Sequence, residues 1–322
     1  MLAMKPVYLS AVFILLAGMI VASLFVGAGQ VTLDAVWRDP IMRDIFLISR
    51  VPRTLALLLA GSAMSVAGLI MQLLTQNRFV EPSLAGTTQS ASLGLLVVMV
   101  LMPSASLLVK MTVASLFAMA GTVLFMLLLR RIVLKSALVV PLVGIMLGAV
   151  IGAITTFAAM HFDLLQSLSG WESGDFSGVL RGRYELLWLV GILTLIACWT
   201  ADRFTVAGMG REFSVNVGLN YRQVMLLGLA IIAIISVVVM VVVGTLPFLG
   251  LIVPNLISML LGDNVRKTIP WVCLLGGGLV LLCDVIGRVI RYPFEIPVSV
   301  ILGVIGAVVF LILLLSQKRH VS

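Results

Sequence analysis

Residues 223–244 read QVMLLGLAIIAIISVVVMVVVG, a stretch without one charged side chain. About 20 mainly apolar residues cross the hydrocarbon core of a bilayer as a helix. No water is available there, so the backbone must satisfy its own hydrogen bonds. Runs of this kind recur along the chain, and ten fit the hydropathy: 7–27, 52–74, 84–102, 107–130, 138–160, 185–201, 223–244, 249–261, 269–290 and 297–316. Of the 322 residues, 61% are hydrophobic and 11% charged, which leaves no room for a sizeable soluble domain. The expectation is therefore all-α: a polytopic membrane protein of about ten transmembrane helices, forming a single domain over residues 1–322. The first run is longer than the core of a signal peptide, and reads as a retained span. The net charge of +8 then reflects membrane-flanking basic residues rather than nucleic acid.

With the N-terminus in the cytoplasm, twelve of the 21 lysines and arginines fall on the inner side and nine on the outer. The tight pairs Arg130–Arg131, Arg266–Lys267 and Lys318–Arg319 are all inner, as the usual bias of positive charge requires. Both termini are then cytoplasmic. Trp37, Trp171, Trp188, Trp199 and Trp271 fall near span ends, where their amphipathic rings suit the interface. Arg50 and Arg53, however, open the second span on the outer side, where positive charge needs a reason.

Small residues recur every three or four positions on two spans: Gly61, Ser65, Gly68 and Gln72, and Gly144, Gly148, Gly152 and Thr156. Such stripes let helix backbones approach closely; a substrate path is the other reading. The stretch GTLPFLGLIVPN, with Gly244, Pro247, Gly250 and Pro254, marks a broken helix that needs protein or a water-filled cavity around it. Residues 201–223, ADRFTVAGMGREFSVNVGLNYRQ, form the longest inner segment between spans. Gly208, Gly210 and Gly218 punctuate it into two short helices. Phe204, Met209, Phe213 and Val217 offer an apolar face to the membrane surface or to another protein's groove.

His161 and His320 have no clustered partners, and Cys198, Cys273 and Cys283 share no metal-type spacing; they read as reduced packing residues. No phosphate-binding G-x-x-x-x-G-K-[ST] loop occurs. The clearest intramembrane acid is Asp284, four residues before Arg288, a spacing that suits a helical ion pair, with a proton relay as the alternative. Energy for transport against a gradient would then come from another subunit.

Several spaced motifs resemble one family. RVPRTLALLLAGSAMSVAGLIMQ is similar to R-x-P-R-x-L…G-x-x-L-x-x-x-G-x-x-x-Q, and FLGLIVPN to F-x-G-L-x-x-P-H. CDVIGRVIRYPFEIPVSVILGVIGAVVFLILLL is similar to its A-D-x-x-x-R…P-x-E-x-P-x-G…G-x-P-x-F-x-x-L-L ending. In order along nearly the whole length, these resemble the FecCD permeases of ATP-driven (ABC) importers of iron-siderophores and vitamin B12. SRVPRT, GRYELL and DRFTVAGMGREFSVNVGL resemble the branch that takes catecholate or mixed catecholate–citrate siderophores. Departures are NRFVEPSLAG for N-P-L-A-x-P-x-x-L-G, Asn255 where histidine is common, Ser299 for a glycine, and Ala307–Val308 for G-x-P.

The resemblance implies the type II importer permease fold and a non-enzymatic transport subunit in the bacterial inner membrane. It implies a second permease chain, a different one in this branch, and two ATP-binding subunits that hold ATP and Mg. It also implies an extracytoplasmic siderophore-binding protein, docked through Arg50, Arg53 and Arg288 with Asp284 as support. Lipid-phosphate anchoring is the alternative for those arginines. Residues of about 202–222 match the coupling helices, with Gly208, Gly210 and Gly218 shaping the turns and Arg211, Glu212, Phe213 and Asn216 toward the ATPase. The fifth and last spans would line the path, which suggests Thr155, Thr156, Met160, Ser299 and Gly303. Cobalamin or heme as cargo, an ion-coupled carrier and an intramembrane enzyme are the competing readings.

Overall fold

The structure is a computed structural model that describes residues 6–27, 33–132, 139–182, 184–262 and 264–318. Of the basic residues counted above, Lys5, Lys135, Arg183 and Arg319 lie outside these ranges. Helix α1 (Pro6–Phe25) leads to the short α2 (Leu33–Arg38) and α3 (Pro40–Ile45). A π-helical turn over Phe46–Arg50 joins α3 to α4 (Val51–Thr75). Then come α5 (Thr87–Leu101), α6 (Leu107–Arg131), α7 (Val139–His161) and the short α8 (Leu165–Glu172). Helices α9 (Leu187–Trp199) and α10 (Ala201–Gly208) meet at a bend of 63°. The chain continues through α11 (Arg211–Asn216), α12 (Tyr221–Val243), α13 (Leu249–Leu261), α14 (Val265–Ile290) and α15 (Val298–Lys318).

Among the described residues, five helices are long and apolar enough to cross a membrane, and the bent α9–α10 pair passes as a sixth. Shorter apolar helices over Val12–Phe25, Thr87–Leu101, Leu249–Leu261 and Val298–Leu313 stand where the remaining four spans were expected. The second span differs from expectation. It belongs to one 36-residue helical rod from Pro40 to Thr75, because the π turn carries the helix past Pro52 without a break. With successive long helices running in alternating directions, the start of α1 and the end of α15 come to one face, called here the terminal face. The ends of α1, α7 and α14 lie at the opposite, distal face.

Helices α4 and α12 form the centre: 78% and 72% of their most apolar windows are buried, against 33% for α6 and 28% for α7. The sequence states why α4 can sit there. A Cβ on Gly61 would meet the Gly276 carbonyl of α14, and one on Gly68 would fall on the Gly250 carbonyl of α13. Gln72, one turn further, donates to the Gly250 carbonyl at 3.1 Å. In lipid, where burying apolar surface gives helices little reason to associate, such close backbone packing and interhelical hydrogen bonds hold a bundle together. The stripe on the second span is thus a packing seam.

Helix α13 has 13 residues and is about 20 Å long at 1.5 Å per residue, so it covers only part of the bilayer. Its start at Leu249 lies inside the bundle. Phe248 caps it with φ +61°, a left-handed backbone unusual for an aromatic residue.

Candidate functional site

Four groups of polar side chains sit at distinct levels of the bundle. At the distal face, the last turns of α1 and α14 and the first of α4 form a charge cluster. Arg53 donates to Asp284 Oδ1 through Nη2 at 2.7 Å and Nε at 3.2 Å, and to Glu295 Oε2 through Nη1 at 2.7 Å. Arg288 Nη2 pairs with Asp284 Oδ2, and its Nη1 donates to the Ser23 and Val26 carbonyls at 2.8 and 2.7 Å. Arg50 Nη1 also donates to the Val26 carbonyl at 2.8 Å. The Asp284–Arg288 pair expected from spacing is therefore present. The arginines are not displayed on the surface, however: Arg50, Arg53 and Arg288 are 9%, 8% and 2% exposed. Two carboxylates and the carbonyls ending α1 draw the guanidinium groups inward. Together these contacts cross-link α1, α4 and α14 with the 291–297 segment.

Below this face, a cavity of about 300 Å³ opens between α5, α7 and α8. Thr88, Gln89 and Ser92 line it from α5, Gly152, Thr155 and Thr156 from α7, and Ser169 and Glu172 from α8, joined by Thr245. Thr155 precedes the end of α7 by six residues, about 9 Å of helix, so these polar groups face a cavity at membrane depth. Ser92 Oγ donates to Glu172 Oε1 at 2.6 Å, and Gln89 Oε1 is buried with no hydrogen-bond partner among the described residues. Thr245 donates to the Glu172 carbonyl, and the Ser299 amide to the Gly174 carbonyl at 3.2 Å, which ties α15 to the same wall. Of the expected path residues, Thr155 and Thr156 thus line a cavity and Ser299 borders the adjoining wall. Gly303 lies beside Pro247, and Met160, 62% exposed on the last turn of α7, is not among the lining residues. The glycine stripe of α7 turns inward here: Gly148 faces Gly86 and Gln89, so the seam and the cavity share it.

The third group was missed in the sequence. Glu81, 2% exposed, sits against the broken start of α13. Its Oε1 accepts the Phe248 amide at 2.9 Å, its carboxylate also meets the Gly250 and Leu251 amides, and Ser83 Oγ donates to it. A helix starting inside a bundle leaves its first N–H groups without partners, and a carboxylate is the strongest acceptor that can meet them. Asn255 fixes the other side, donating to the Arg78 and Leu251 carbonyls at 2.7 Å each. Segment 76–86 is so pinned to α13, and Phe248 stacks on Phe310 of α15 at 6.3 Å.

At the terminal face, α10 and α11 are the two short helices expected, turned by Gly210 at φ +103° and closed by Gly218 at φ +81°. Gly208 ends α10 against Leu73 of α4. The apolar face differs from expectation. Phe204 is fully buried against Gly228 of α12 and anchors the segment, while Met209, Phe213 and Val217 are 60%, 47% and 61% exposed. Arg211, Glu212 and Asn216 are exposed beside them.

The chain is similar to known transport proteins along nearly its full length. It is 47% identical to a petrobactin import system permease protein of Bacillus anthracis, over 98% of this chain and 92% of that one. It is 46% identical to a petrobactin import system permease protein of Bacillus subtilis, over 96% of this chain and 98% of that one. With a ferric-anguibactin transport system permease protein of Vibrio anguillarum it shares 39% identity, over 92% and 95%. A solved structure described as an inward-facing conformation of a metal-chelate type ABC transporter superposes with a TM-score of 0.80 at 23% identity, covering 97% of this chain and all of that one, and so shares the fold. The model of the FecCD transport family matches residues 14–316, and this multi-pass membrane protein belongs to that family.

Proposed function

We propose that this chain is one of the two membrane subunits of an ATP-driven importer that carries ferric siderophores of catecholate type across the bacterial cytoplasmic membrane. The observation that carries the reading is its 47% identity, nearly end to end, to a permease whose name states petrobactin import. The polar cavity beneath the distal face supports it. A ferric chelate arrives with its iron already coordinated, so its path needs hydroxyl and amide groups rather than metal ligands, and Thr155, Thr156, Gln89 and Ser92 supply these. Ser299 and Gly303 continue that path along α15 toward a second, different permease chain.

In this reading the terminal face is cytoplasmic, and both termini lie there. Met209, Phe213 and Val217, rimmed by Arg211, Glu212 and Asn216, enter a groove of an ATP-binding subunit, one per permease, where ATP and Mg are held. A 63° bend and the buried Phe204 make α10 a stiff lever on α12. ATP-driven closure of the partner subunits then rocks the bundle, and the cavity opens alternately to each side. An acidic siderophore-binding protein docks over the distal face. Arg50, Arg53 and Arg288, with Asp284, act as a positive frame beneath the contact, steering and registering that partner.

Deletion of the gene tests the substrate. The expected result is loss of labelled ferric-catecholate uptake in whole cells with cobalamin uptake unchanged, restored by the intact gene. Loss of cobalamin uptake with normal ferric-siderophore uptake would overturn the assignment.

A further inference from the structure

A second cavity, of about 430 Å³, lies at the terminal face between α6, α11 and α12. It has two unlike ends. Arg211, Arg222 and Tyr221 stand at the mouth, and the wall behind them is apolar, made by Met126 and Leu127 of α6 and Leu226 and Leu229 of α12. Leu229 is eight residues into α12, which carries the apolar wall about 12 Å from the level of Tyr221 toward the membrane interior. Both arginines are exposed, and neither makes an ion pair or side-chain hydrogen bond among the described residues.

We propose that this cavity binds one anionic glycerophospholipid from the leaflet on the terminal side. Its phosphate sits between Arg211 and Arg222, and an acyl chain lies along α6 and α12. Charge and shape point to the same occupant. Two unpaired guanidinium groups favour a phosphate, and basic pockets between helices at a membrane face suit acidic headgroups. A soluble anion has no use for the apolar wall. Of the residues proposed to meet the ATPase, Arg211 alone lines this cavity, while Glu212, Phe213 and Asn216 do not. If α11 couples to an ATPase as proposed above, the lipid supports it from the side; the lipid site does not depend on that reading.

Native mass spectrometry of the full chain in detergent tests this, titrating dioleoyl phosphatidylglycerol against dioleoyl phosphatidylcholine, with and without excess inorganic phosphate. The expected result is one phosphatidylglycerol held in preference to phosphatidylcholine, with inorganic phosphate a poor competitor. Arg222→Gln is expected to cut that preference about fivefold, the effect of one basic contact at a lipid surface, whereas Arg222→Lys keeps most of it. Leu226→Trp, which fills the apolar wall, is expected to lower retention of the lipid. Equal retention of both lipids by the native chain, an unchanged preference in Arg222→Gln, or displacement by inorganic phosphate would each overturn the proposal.

Discussion

Arg53 joins two carboxylates from different parts of the chain, Asp284 on α14 and Glu295 after it, while Asp284 also holds Arg288. Removing one member of a buried ion pair strands the others, at a cost of about 3–5 kcal/mol. Arg53→Met is therefore expected to lower the melting temperature in detergent strongly. Arg53→Met combined with Asp284→Leu is expected to lose less than the two single changes added together, a coupling that a double-mutant cycle measures. Glu81 makes a second case. Glu81→Ala removes the acceptor from the Phe248 amide and its neighbours, at about 1–3 kcal/mol for buried donors left unpaired. Faster amide hydrogen exchange at the start of α13 is the expected sign. The sequence made part of this legible. Asp284 and Arg288 are four apart and announce their pair, but Arg53 reaches Asp284 across 231 residues and Glu295 across 242. Glu81 left no signal as a cap because its partners are backbone amides, which any residue type provides.

At the scale of elements, the α4 seam depends on glycine where backbones nearly touch. Gly68→Leu is expected to force α4 from α13 and prevent folding, read as loss of monodisperse protein in gel filtration, because a side chain there overlaps the Gly250 backbone. Gly210 matters for another reason. Its φ of +103° with ψ of 164° is open to glycine and strained for any residue with a Cβ, so Gly210→Val is expected to misplace α11 at a cost of about 1–3 kcal/mol. The bundle should survive that change, with ATPase activation reduced. The ten apolar stretches were legible because hydropathy depends on composition alone; among the described residues five are helices long enough to span, the α9–α10 pair is a bent sixth, and four are shorter apolar helices. Where α4 begins was not, since a π turn at Phe46–Arg50 extends the helix through residues whose charge suggested an end. Phe204 was read with the exposed apolar residues of its segment because period alone does not say which side of a short helix meets α12.

At the scale of the whole molecule, the distal charge cluster, the polar cavity and the α10–α11 segment stand in order from one face to the other. The pinned start of α13 lies inside the bundle and ties segment 76–86 to α15 through Phe248. The relation of the expected path residues was only half visible beforehand. Thr155 and Thr156 could be placed on one helix, but Gln89 and Glu172 reach their cavity from α5 and α8, and folding alone brings these together. The claim that this arrangement imports a ferric chelate at the expense of ATP is tested most directly in proteoliposomes. They would hold this chain, its partner permease and the ATP-binding subunits, with the siderophore-binding protein and a labelled ferric catecholate siderophore outside. Uptake is expected only with ATP inside, and to persist when ion gradients are collapsed. Uptake without ATP, or driven by an ion gradient through this chain alone, would contradict the account.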